Sequence, residues 1–427
     1  MNTSNMLSKE QQAFLDLVTK SFAVSDDVLN TLVTRVHAEL FRGLASNTSR
    51  TSELLMKPSF IRPPLARPSS VSLGMSISGS RIRITSICVD AKSTPTRSHT
   101  QVFTMHEHQS VFDFAAYCVR EFVQHHKLDS SSLPLGVTIV PSESTEYTEL
   151  HSSDAGRKLC AAFVRSHLNV HVTAITRGAV SALVASRIKK STRVAAVFDG
   201  GVNVAYVEQL GQVSKLRVSD ETKSSLVAID TDIGNFGSRY NALPVTMWDR
   251  RVDRESNNSG RVFEKLVGGR YLGELVRNLI VDMIDQRLLF TKCNVQEISV
   301  PYSLHTAYMG PIIDELGAVD AVFAAEFGIN CSESDRHIIR TLCSIVMARA
   351  ARVAGAVLAA VVLKAKADAD DSVTVVLSGT VFDANPQMLD DTVREMQCRL
   401  PHTVKPEIVV QSPSDELFGA AINAACI

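Results

Sequence analysis

Three acidic side chains could recognise a ligand together if the fold brings them close. Asp230 and Asp232 precede a turn that contains Gly234 and Gly237, and Glu264 lies in a helical stretch further along the chain. Carboxylates accept hydrogen bonds from hydroxyl and amide groups, so these three could form part of a binding site. The competing interpretation is a solvated acidic cluster without a ligand, and the sequence leaves both interpretations open.

The sequence shows no arrangement of ligands for a metal ion. The 12 histidines have no ligand spacing, and the 8 cysteines are scattered without a CxxC pair or a zinc-type Cys/His cluster. Reduced thiols of this kind are typical of a cytosolic or nuclear protein. We therefore expect no bound metal.

Alternating helices and strands must position these residues. Two helices are predicted between Gln11 and Leu44, with a cap near Ser25, and a Pro-rich connector follows at 58–68. Strands are predicted at 71–89, 100–105, 136–140, 170–175, 193–198, 202–209, 225–229, 373–377 and 407–410. Helices are predicted at 111–126, 156–167, 180–187, 259–289, 332–366 and 387–400, with a short one at the C-terminus and a polar loop at 142–153. This alternation indicates the α/β class, with two related lobes around a cleft.

Composition narrows the class of protein further. The 427 residues suffice for two or three domains, and a hydrophobic fraction of 45% is typical of a globular chain. A formal net charge of -1 gives no electrostatic bias toward nucleic acid or an acidic membrane. The N-terminus lacks a secretory apolar core, and the apolar run 353–363 is too short to span a bilayer. We expect a soluble intracellular protein without direct nucleic-acid binding.

Several stretches, in chain order, carry a family resemblance. The longest runs from Phe263 to Arg277, FEKLVGGRYLGELVR, and is close to FEKMISGMYLGEIVR of hexokinases. Residues 249–256 (DRRVDRES) resemble the family's D-x-x-[LV]-D-x-x-S, and residues 347–353 (MARAARV) resemble the helix bearing its RAA. The resemblance implies the two-lobed fold of actin, Hsp70 and sugar kinases, with a ribonuclease-H-like sheet in each lobe and an interlobe cleft.

The resemblance also locates the catalytic base that such enzymes need. The family carries its aspartate in V-N-D-T-V-G-T-L, which corresponds to residues 176–183, TRGAVSAL. Gly178 therefore occupies the position of the base, and Arg177 replaces an asparagine that binds the sugar. Phosphoryl transfer to a hydroxyl requires a carboxylate to take its proton. This implies no catalytic residue and a poor or inactive kinase.

On the nucleotide side, the resemblance implies a set of altered positions. Ser76 replaces the aspartate that positions magnesium-bound water, and Asp199 introduces a negative charge where the second phosphate hairpin begins. The adenosine segment loses most of its glycines. The vestigial nucleotide positions are Ser76, Gly79, Ser80, Arg83, Gly201, Val202, Asn203, Ser378, Gly379, Thr380 and Gly419. Nucleotide binding should be weak.

The sugar side keeps more of the family pattern. The family's I-N-T-E-W-G-A-F-G reads IDTDIGNFG at 229–237, so Asp230 replaces Asn, Asp232 shortens Glu, and Glu264 is retained. With Arg177, these are the vestigial sugar-binding positions. The loop that supplies a Thr-Lys pair to the sugar is shortened at 142–153, which implies altered hexose affinity.

The leading interpretation is a non-catalytic, hexokinase-like regulator that acts by binding a protein partner. The chain resembles the atypical hexokinases of filamentous fungi, and that resemblance implies a role in carbon-starvation responses such as extracellular protease production. An active ATP-dependent hexokinase and a hexose sensor without turnover are the alternatives. No cofactor is required unless the enzyme alternative holds, in which case ATP-Mg is the substrate.

Domain and compartment expectations follow from the same comparison. Residues 1–207 correspond to the N-terminal half, with a helical N-terminus and most of the small lobe. Residues 208–427 correspond to the C-terminal half, with most of the large lobe and a C-terminal helix that returns to the small lobe. Cytosol, nucleus and the mitochondrial surface all stay open, as do a hexose in the cleft and the identity of the protein partner.

Overall fold

The computed structural model describes most of the chain. The described ranges are 7–45, 52–59, 71–78, 81–89, 95–105, 110–128, 132–139, 154–187, 192–238, 243–256, 260–291, 293–366 and 372–425. Gly79, Ser80, most of the Pro-rich connector and the whole of the polar loop at 142–153 lie outside these ranges. The predictions made for those residues therefore have no structural counterpart below.

Two β-sheets form the centre of the protein. Their strands are β1 (Lys57–Ser59), β2 (Val71–Ser78), β3 (Arg81–Val89), β4 (Pro95–Thr104), β5 (Leu133–Ile139), β6 (Val170–Arg177), β7 (Thr192–Phe198), β8 (Val202–Gln209), β9 (Leu226–Asp230), β10 (Ser372–Ser378) and β11 (Lys405–Gln411). The five-stranded sheet has the order β4-β3-β2-β5-β6, and the six-stranded sheet has the order β1-β9-β8-β7-β10-β11.

The two sheets share one topology. In each, three antiparallel strands in chain order are followed by two parallel strands that add to the first: β2 to β4 with β5 and β6, and β7 to β9 with β10 and β11. The short β1 extends the second sheet by pairing with β9. This repeat confirms the predicted two-lobed α/β fold, since each lobe has its own sheet of ribonuclease-H type.

Helices cover the sheets and fill the larger lobe. They are α1 (Lys9–Phe22), α2 (Asp26–Ala45), α3 (Val111–His125), α4 (Ala155–Arg165), α5 (Gly178–Arg187), α6 (Met247–Glu255), α7 (Val262–Val267), α8 (Gly269–Asp285), α9 (Met309–Asp314), α10 (Leu316–Phe327), α11 (Glu333–Ala365), α12 (Thr380–Ala384), α13 (Pro386–Cys398) and α14 (Pro413–Ala425). The predicted N-terminal helices and the long Ala-rich helix match α1, α2 and α11 to within a few residues.

The longest helix, α11, is the core of the larger lobe. Ser332 and Asp335 form a reciprocal capping box at its N-terminus, as their spacing predicts. By length and composition α11 could cross a membrane, but 83% of its most apolar window is buried within the protein. A helix that is apolar on all sides is expected in a protein interior as well as in a membrane, and here protein atoms surround it.

The single helix predicted at 259–289 is wrong, because the chain breaks between α7 and α8. The amide N–H of Gly269 donates to the Asp199 carbonyl at 2.7 Å, and that of Arg270 donates to the Gly200 carbonyl at 3.2 Å. A Cβ on Gly268 would lie 2.9 Å from the Gly200 carbonyl oxygen. A continuous helix could not make this backbone contact, which fixes the β7–β8 hairpin against α8.

The boundary predicted at residue 207 falls inside β8. Strands β7 and β8 both belong to the six-stranded sheet, so the chain crosses between the sheets earlier, through α5. Helix α14 then returns to pack on α5 and on the five-stranded sheet. A Cβ on Gly419 of α14 would lie 1.9 Å from the Ser181 carbonyl oxygen, so this crossing requires glycine.

Candidate functional site

The three acidic residues singled out from the sequence lie together at one end of the six-stranded sheet. Asp230 ends β9, Asp232 follows in the next turn, and Glu264 lies in α7. The Asp232 amide N–H donates to Asp230 Oδ1 at 3.3 Å, and the Val202 amide N–H donates to Glu264 Oε2 at 3.2 Å. The acidic cluster is therefore a real structural feature, built from three separate segments.

Arg177 enters this cluster from the other sheet. It is the last residue of β6, and its Nη1 donates to Asp232 Oδ1 at 2.5 Å. Its Nε lies 3.5 Å from Asp230 Oδ2. The guanidinium thus occupies the region in which the family resemblance places a sugar.

A second arginine, Arg261, was missed by the sequence analysis. Its Nε and Nη2 each donate to one carboxylate oxygen of Glu264 at 3.0 Å, and its Nη1 donates to Asp232 Oδ1 at 3.3 Å. Bidentate pairing of this kind fixes both side chains. The available signal was the spacing of three residues between Arg261 and Glu264, which would place the pair on one helix face.

Burial and charge separate the two kinds of side chain in this five-residue cluster. The side chains of Asp230, Asp232 and Glu264 are 8%, 6% and 5% exposed, whereas those of Arg177 and Arg261 are 24% and 21% exposed. The exposed surface of the cluster therefore belongs mainly to the two arginine side chains.

The ionisation of the cluster follows from these contacts. Burial opposes the charge of Asp232, but Arg177 and Arg261 outweigh it and hold the pKa of that carboxyl below its usual range. Burial likewise opposes the charge of Arg177, and the attraction of Asp230 and Asp232 raises its pKa in spite of this. Asp232 and Arg177 are thus both charged near neutral pH, and the carboxylate of Asp232 is compensated from within the chain.

Two residues of the cluster have an unfavourable backbone conformation. Asp232 has φ 56° and Arg261 has φ 47°, and both are non-glycine residues in the left-handed region. Such conformations cost about 1–3 kcal/mol each and persist only where the surrounding contacts impose them. Here the ion pairs hold both residues in place, so the cluster is a rigid unit.

The predicted position of the missing base lies beside this cluster. Gly178 is buried at the start of α5 and follows Arg177 directly. Its neighbour Thr176 lies with its hydroxyl 2.7 Å from that of Ser181. The carboxylates that contact Arg177, those of Asp230 and Asp232, are both engaged in ion pairs with it.

At the predicted nucleotide-binding end, the Asp199 side chain is hydrogen-bonded to the backbone. Its Oδ1 accepts a hydrogen bond from the Thr380 amide N–H at 2.7 Å. Gly379, with φ 129°, makes this approach possible, since a Cβ there would lie 2.1 Å from the Phe198 carbonyl oxygen. Burial raises the pKa of the Asp199 carboxyl. The backbone amide of Thr380, a predicted phosphate donor, is thus bonded to a side chain of the chain itself.

A second carboxyl group, that of Glu416, lies close to Asp199. It is 1% exposed, and it accepts a hydrogen bond from the Ser378 hydroxyl at 3.3 Å. Burial first, and then the charge of Asp199, raise its pKa well above the usual value. A triphosphate at this position would raise the pKa of both groups further, because a nearby negative charge disfavours their ionised form.

At the position of the family's magnesium-side aspartate, this chain has a hydroxyl group. Within the described ranges, no group of three or more His, Cys, Asp or Glu side chains is arranged to hold a metal ion. Ser76, at the position of the family's magnesium-side aspartate, is buried in β2 and pairs across the sheet with Arg83 of β3. A hydroxyl supplies no charge for a hard divalent cation.

The other predicted nucleotide positions lie in three places: at the acidic cluster, in the β7–β8 hairpin and at the crossing of α14 with α5. Val202 and Asn203 contact the acidic cluster, since the Asn203 amide Nδ2 donates to Asp230 Oδ1 at 2.7 Å. Gly201 precedes Val202 in the β7–β8 hairpin, where its carbonyl accepts from the Asp199 amide N–H at 2.9 Å. Gly419 lies at the helix crossing described above.

Comparison with known proteins agrees with this architecture. Two sequence profiles, both described as Hexokinase, match residues 15–188 and 193–426. The chain belongs to the hexokinase family. Hexokinase-1 of Schizosaccharomyces pombe is 24% identical over 450 residues, with 99% of this chain and 91% of that protein covered. Hexokinase-2 of Saccharomyces cerevisiae is 26% identical over 389 residues, covering 83% and 79%.

Solved hexokinase structures share the fold. The structure of a hexokinase from Schistosoma mansoni complexed with glucose superposes with a TM-score of 0.86 at 22% identity, covering 98% of this chain and 100% of that one. A second hexokinase crystal structure gives a TM-score of 0.78 at 19% identity. The family resemblance seen in the sequence is thus confirmed, while the narrower resemblance to the atypical fungal regulators stays a prediction.

Three hexokinase-family motifs have a structural explanation in this chain. Asp249, which begins the DRRVDRES motif, makes a bidentate ion pair with Arg349 of the MARAARV motif at 2.6 and 2.7 Å. Asp253 accepts from Lys265 of the FEK motif at 2.5 Å. These buried pairs join α6 to α11 and α7. These motifs therefore hold helices of the larger lobe together, and we call the Asp249–Arg349 pair the α6–α11 clamp.

Proposed function

We propose that this hexokinase-family chain does not phosphorylate hexoses and that it acts by binding a protein partner. One observation carries the first part of the proposal: Arg177 and Arg261 pair with the three carboxylates of the sugar region, next to a glycine at the position of the base. The second part rests on the resemblance to the atypical fungal hexokinases. A sugar would have to displace two ion-paired guanidiniums to reach Asp230, Asp232 and Glu264. This displacement would cost much of its binding free energy.

The expected loss of activity is large. A missing general base costs about 10²- to 10⁴-fold in rate, and lost charge stabilisation of the transition state costs similar factors. These factors need not multiply, because residues of one site act as a unit. They nevertheless leave little turnover for the unmodified chain.

The proposal is tested by coupled phosphorylation of glucose, fructose and mannose at high ATP-Mg. We expect no turnover above a heat-inactivated sample. The matched variant is Arg177→Asn with Gly178→Asp, which removes the inserted guanidinium and supplies a carboxylate. Turnover by the unmodified chain that is lost on Glu264→Gln would refute the proposal and favour the active hexokinase, which is the general activity of the family.

A thermal melting series separates the regulator from a hexose sensor. A ligand present at 100 times its Kd stabilises a protein by about 2.7 kcal/mol. The sensor hypothesis requires a rise in melting temperature with glucose and none with ATP-Mg. The regulator hypothesis requires neither, because Arg177 and Arg261 already occupy the carboxylates that glucose would use.

The cellular role that we propose is regulation of carbon- or nutrient-starvation responses, for example of extracellular protease production. Its support is the resemblance to atypical fungal hexokinases, together with a cleft whose charged groups are paired internally. A strain that carries Gly178→Asp and Arg177→Asn in place of the native residues should keep the regulatory phenotype if partner binding uses the outer surface. Loss of the phenotype would assign the role to the cleft.

A further inference from the structure

Arg177 connects the two sheets of the molecule as well as filling the sugar region. Its backbone belongs to β6 of the five-stranded sheet, where it pairs with Ile139 of β5. Its partner Asp230 ends β9 of the six-stranded sheet, and Asp232 follows directly. The ion pairs therefore cross from one lobe to the other at the base of the cleft.

The crossing point of the chain lies at the same place. Helix α5 begins at the residue after Arg177, and its apolar side chains, including Val180 and Leu183, pack with strands of the six-stranded sheet. Any rotation of the five-stranded sheet relative to the larger lobe must change the backbone near this junction. A side chain that is fixed to both lobes here opposes that rotation.

The anchor on the larger lobe is itself rigid. Asp230 is also held by the Asn203 amide, and Asp232 is also held by Arg261, which is in turn fixed by both oxygens of Glu264. The three carboxylates have 8% exposure or less, so water cannot readily replace Arg177 as their partner. Separating the charges would leave buried carboxylates without full compensation.

We propose that Arg177 is a built-in interlobe brace, which holds the two lobes in the present orientation without a sugar. In a two-lobed protein, a ligand shifts the equilibrium between orientations only by its differential affinity for them. When a side chain of the protein already bridges the lobes, a neutral sugar at this position cannot favour one lobe orientation over another. The inference goes beyond the proposed function, because lobe orientation is measured independently of turnover.

The test is small-angle X-ray scattering of the full chain with and without glucose. We expect the radius of gyration of the unmodified protein to be the same in both conditions. Arg177→Gln should increase it, and so should the double variant Asp230→Asn with Asp232→Asn, which removes the other side of the brace. Circular dichroism and thermal melting establish that each variant is folded.

The matched control is Arg251→Gln. Arg251 pairs with Asp282 at 2.6 Å with side-chain exposures of 27% and 18%, but both residues belong to helices of the larger lobe. Its loss should leave the radius of gyration unchanged. An equal increase in the control would mean general loosening and would overturn the brace.

A second measurement tests the brace even if the differences in scattering are small. Cys160 in α4 and Cys398 in α13 are exposed thiols on different lobes. In a chain whose other cysteines are replaced by serine, spin labels on these two report an interlobe distance. Arg177→Gln should lengthen or broaden the distance distribution. A folded Arg177→Gln variant with unchanged scattering and unchanged label distance would refute the brace, whatever the phosphorylation assay shows.

Discussion

Asp249→Asn is expected to lower the free energy of unfolding by about 3–5 kcal/mol, because it leaves a buried guanidinium without its counter-charge. The side chains of Asp249 and Arg349 are 3% and 1% exposed and are joined by two hydrogen bonds. Asp249 also caps α6 through the amide and hydroxyl of Thr246. Chemical denaturation of the purified protein measures the loss.

The control for this prediction is an exposed ion pair of similar length. Asp391 and Arg394 are joined at 2.7 Å, but their side chains are 31% and 68% exposed. Asp391→Asn should therefore change the free energy of unfolding by about 1 kcal/mol or less. Equal losses at Asp249 and Asp391 would mean that burial does not determine the strength of the α6–α11 clamp.

The double variant of the clamp gives a further check. Arg349→Met alone should destabilise strongly, since it leaves the carboxylate of Asp249 buried without its main partner. In Asp249→Asn with Arg349→Met, neither charge remains, so the combined loss should be smaller than the sum of the single losses. Additive losses would contradict a direct interaction between the two side chains.

The periodicity of the sequence was sufficient to predict most helices and strands, because local patterning determined them. The capping box of α11 is an example, since Ser332 and Asp335 are three residues apart and need no distant partner. The break between α7 and α8 could not be predicted in this way. It depends on contact with the carbonyl groups of Asp199 and Gly200, which are remote in sequence.

The acidic residues of the candidate site could be predicted from the sequence, but their ion pairs with two arginines could not. Comparison with a family could mark Asp230, Asp232 and Glu264, yet it could not show that two arginines pair with them. Arg177 was expected in this region because it replaces a sugar ligand, whereas Arg261 lies just outside the FEK motif. Its backbone is left-handed where its side chain contacts Asp232, which the sequence did not indicate.

The carboxyl group of Glu416 is expected to lower the stability of the folded protein at neutral pH, whereas the Asp249–Arg349 pair raises it. Its pKa is raised in the folded protein above the ordinary value of 4.5 by burial, with Asp199 adding to the effect. Between these two values the unfolded chain has released a proton that the folded chain retains. Stability from this group is therefore complete at low pH and decreases as the pH rises above about 4.5, until the folded pKa is passed.

Glu416→Gln should remove this pH-dependent loss. The amide keeps an acceptor for the Ser378 hydroxyl and carries no charge at any pH. We expect the variant to be more stable than the unmodified protein at pH 8, by about 1–3 kcal/mol, the range for a buried polar group without full compensation. The difference should shrink toward pH 4.5 in denaturation series at constant ionic strength.

An exposed glutamate provides the contrast. Glu10 lies in the first turn of α1, where its backbone amide and Ser8 hold the pKa of its carboxyl below the usual value. Glu10→Gln should give no gain at pH 8, since its charged form is the favoured one in the folded state. If Glu416→Gln likewise gave no gain, the buried acid would have to be charged and compensated, and the nucleotide end of the cleft could then hold a cation. A gain in stability for Glu416→Gln alone would instead mean that the buried acid lowers the stability of the folded chain.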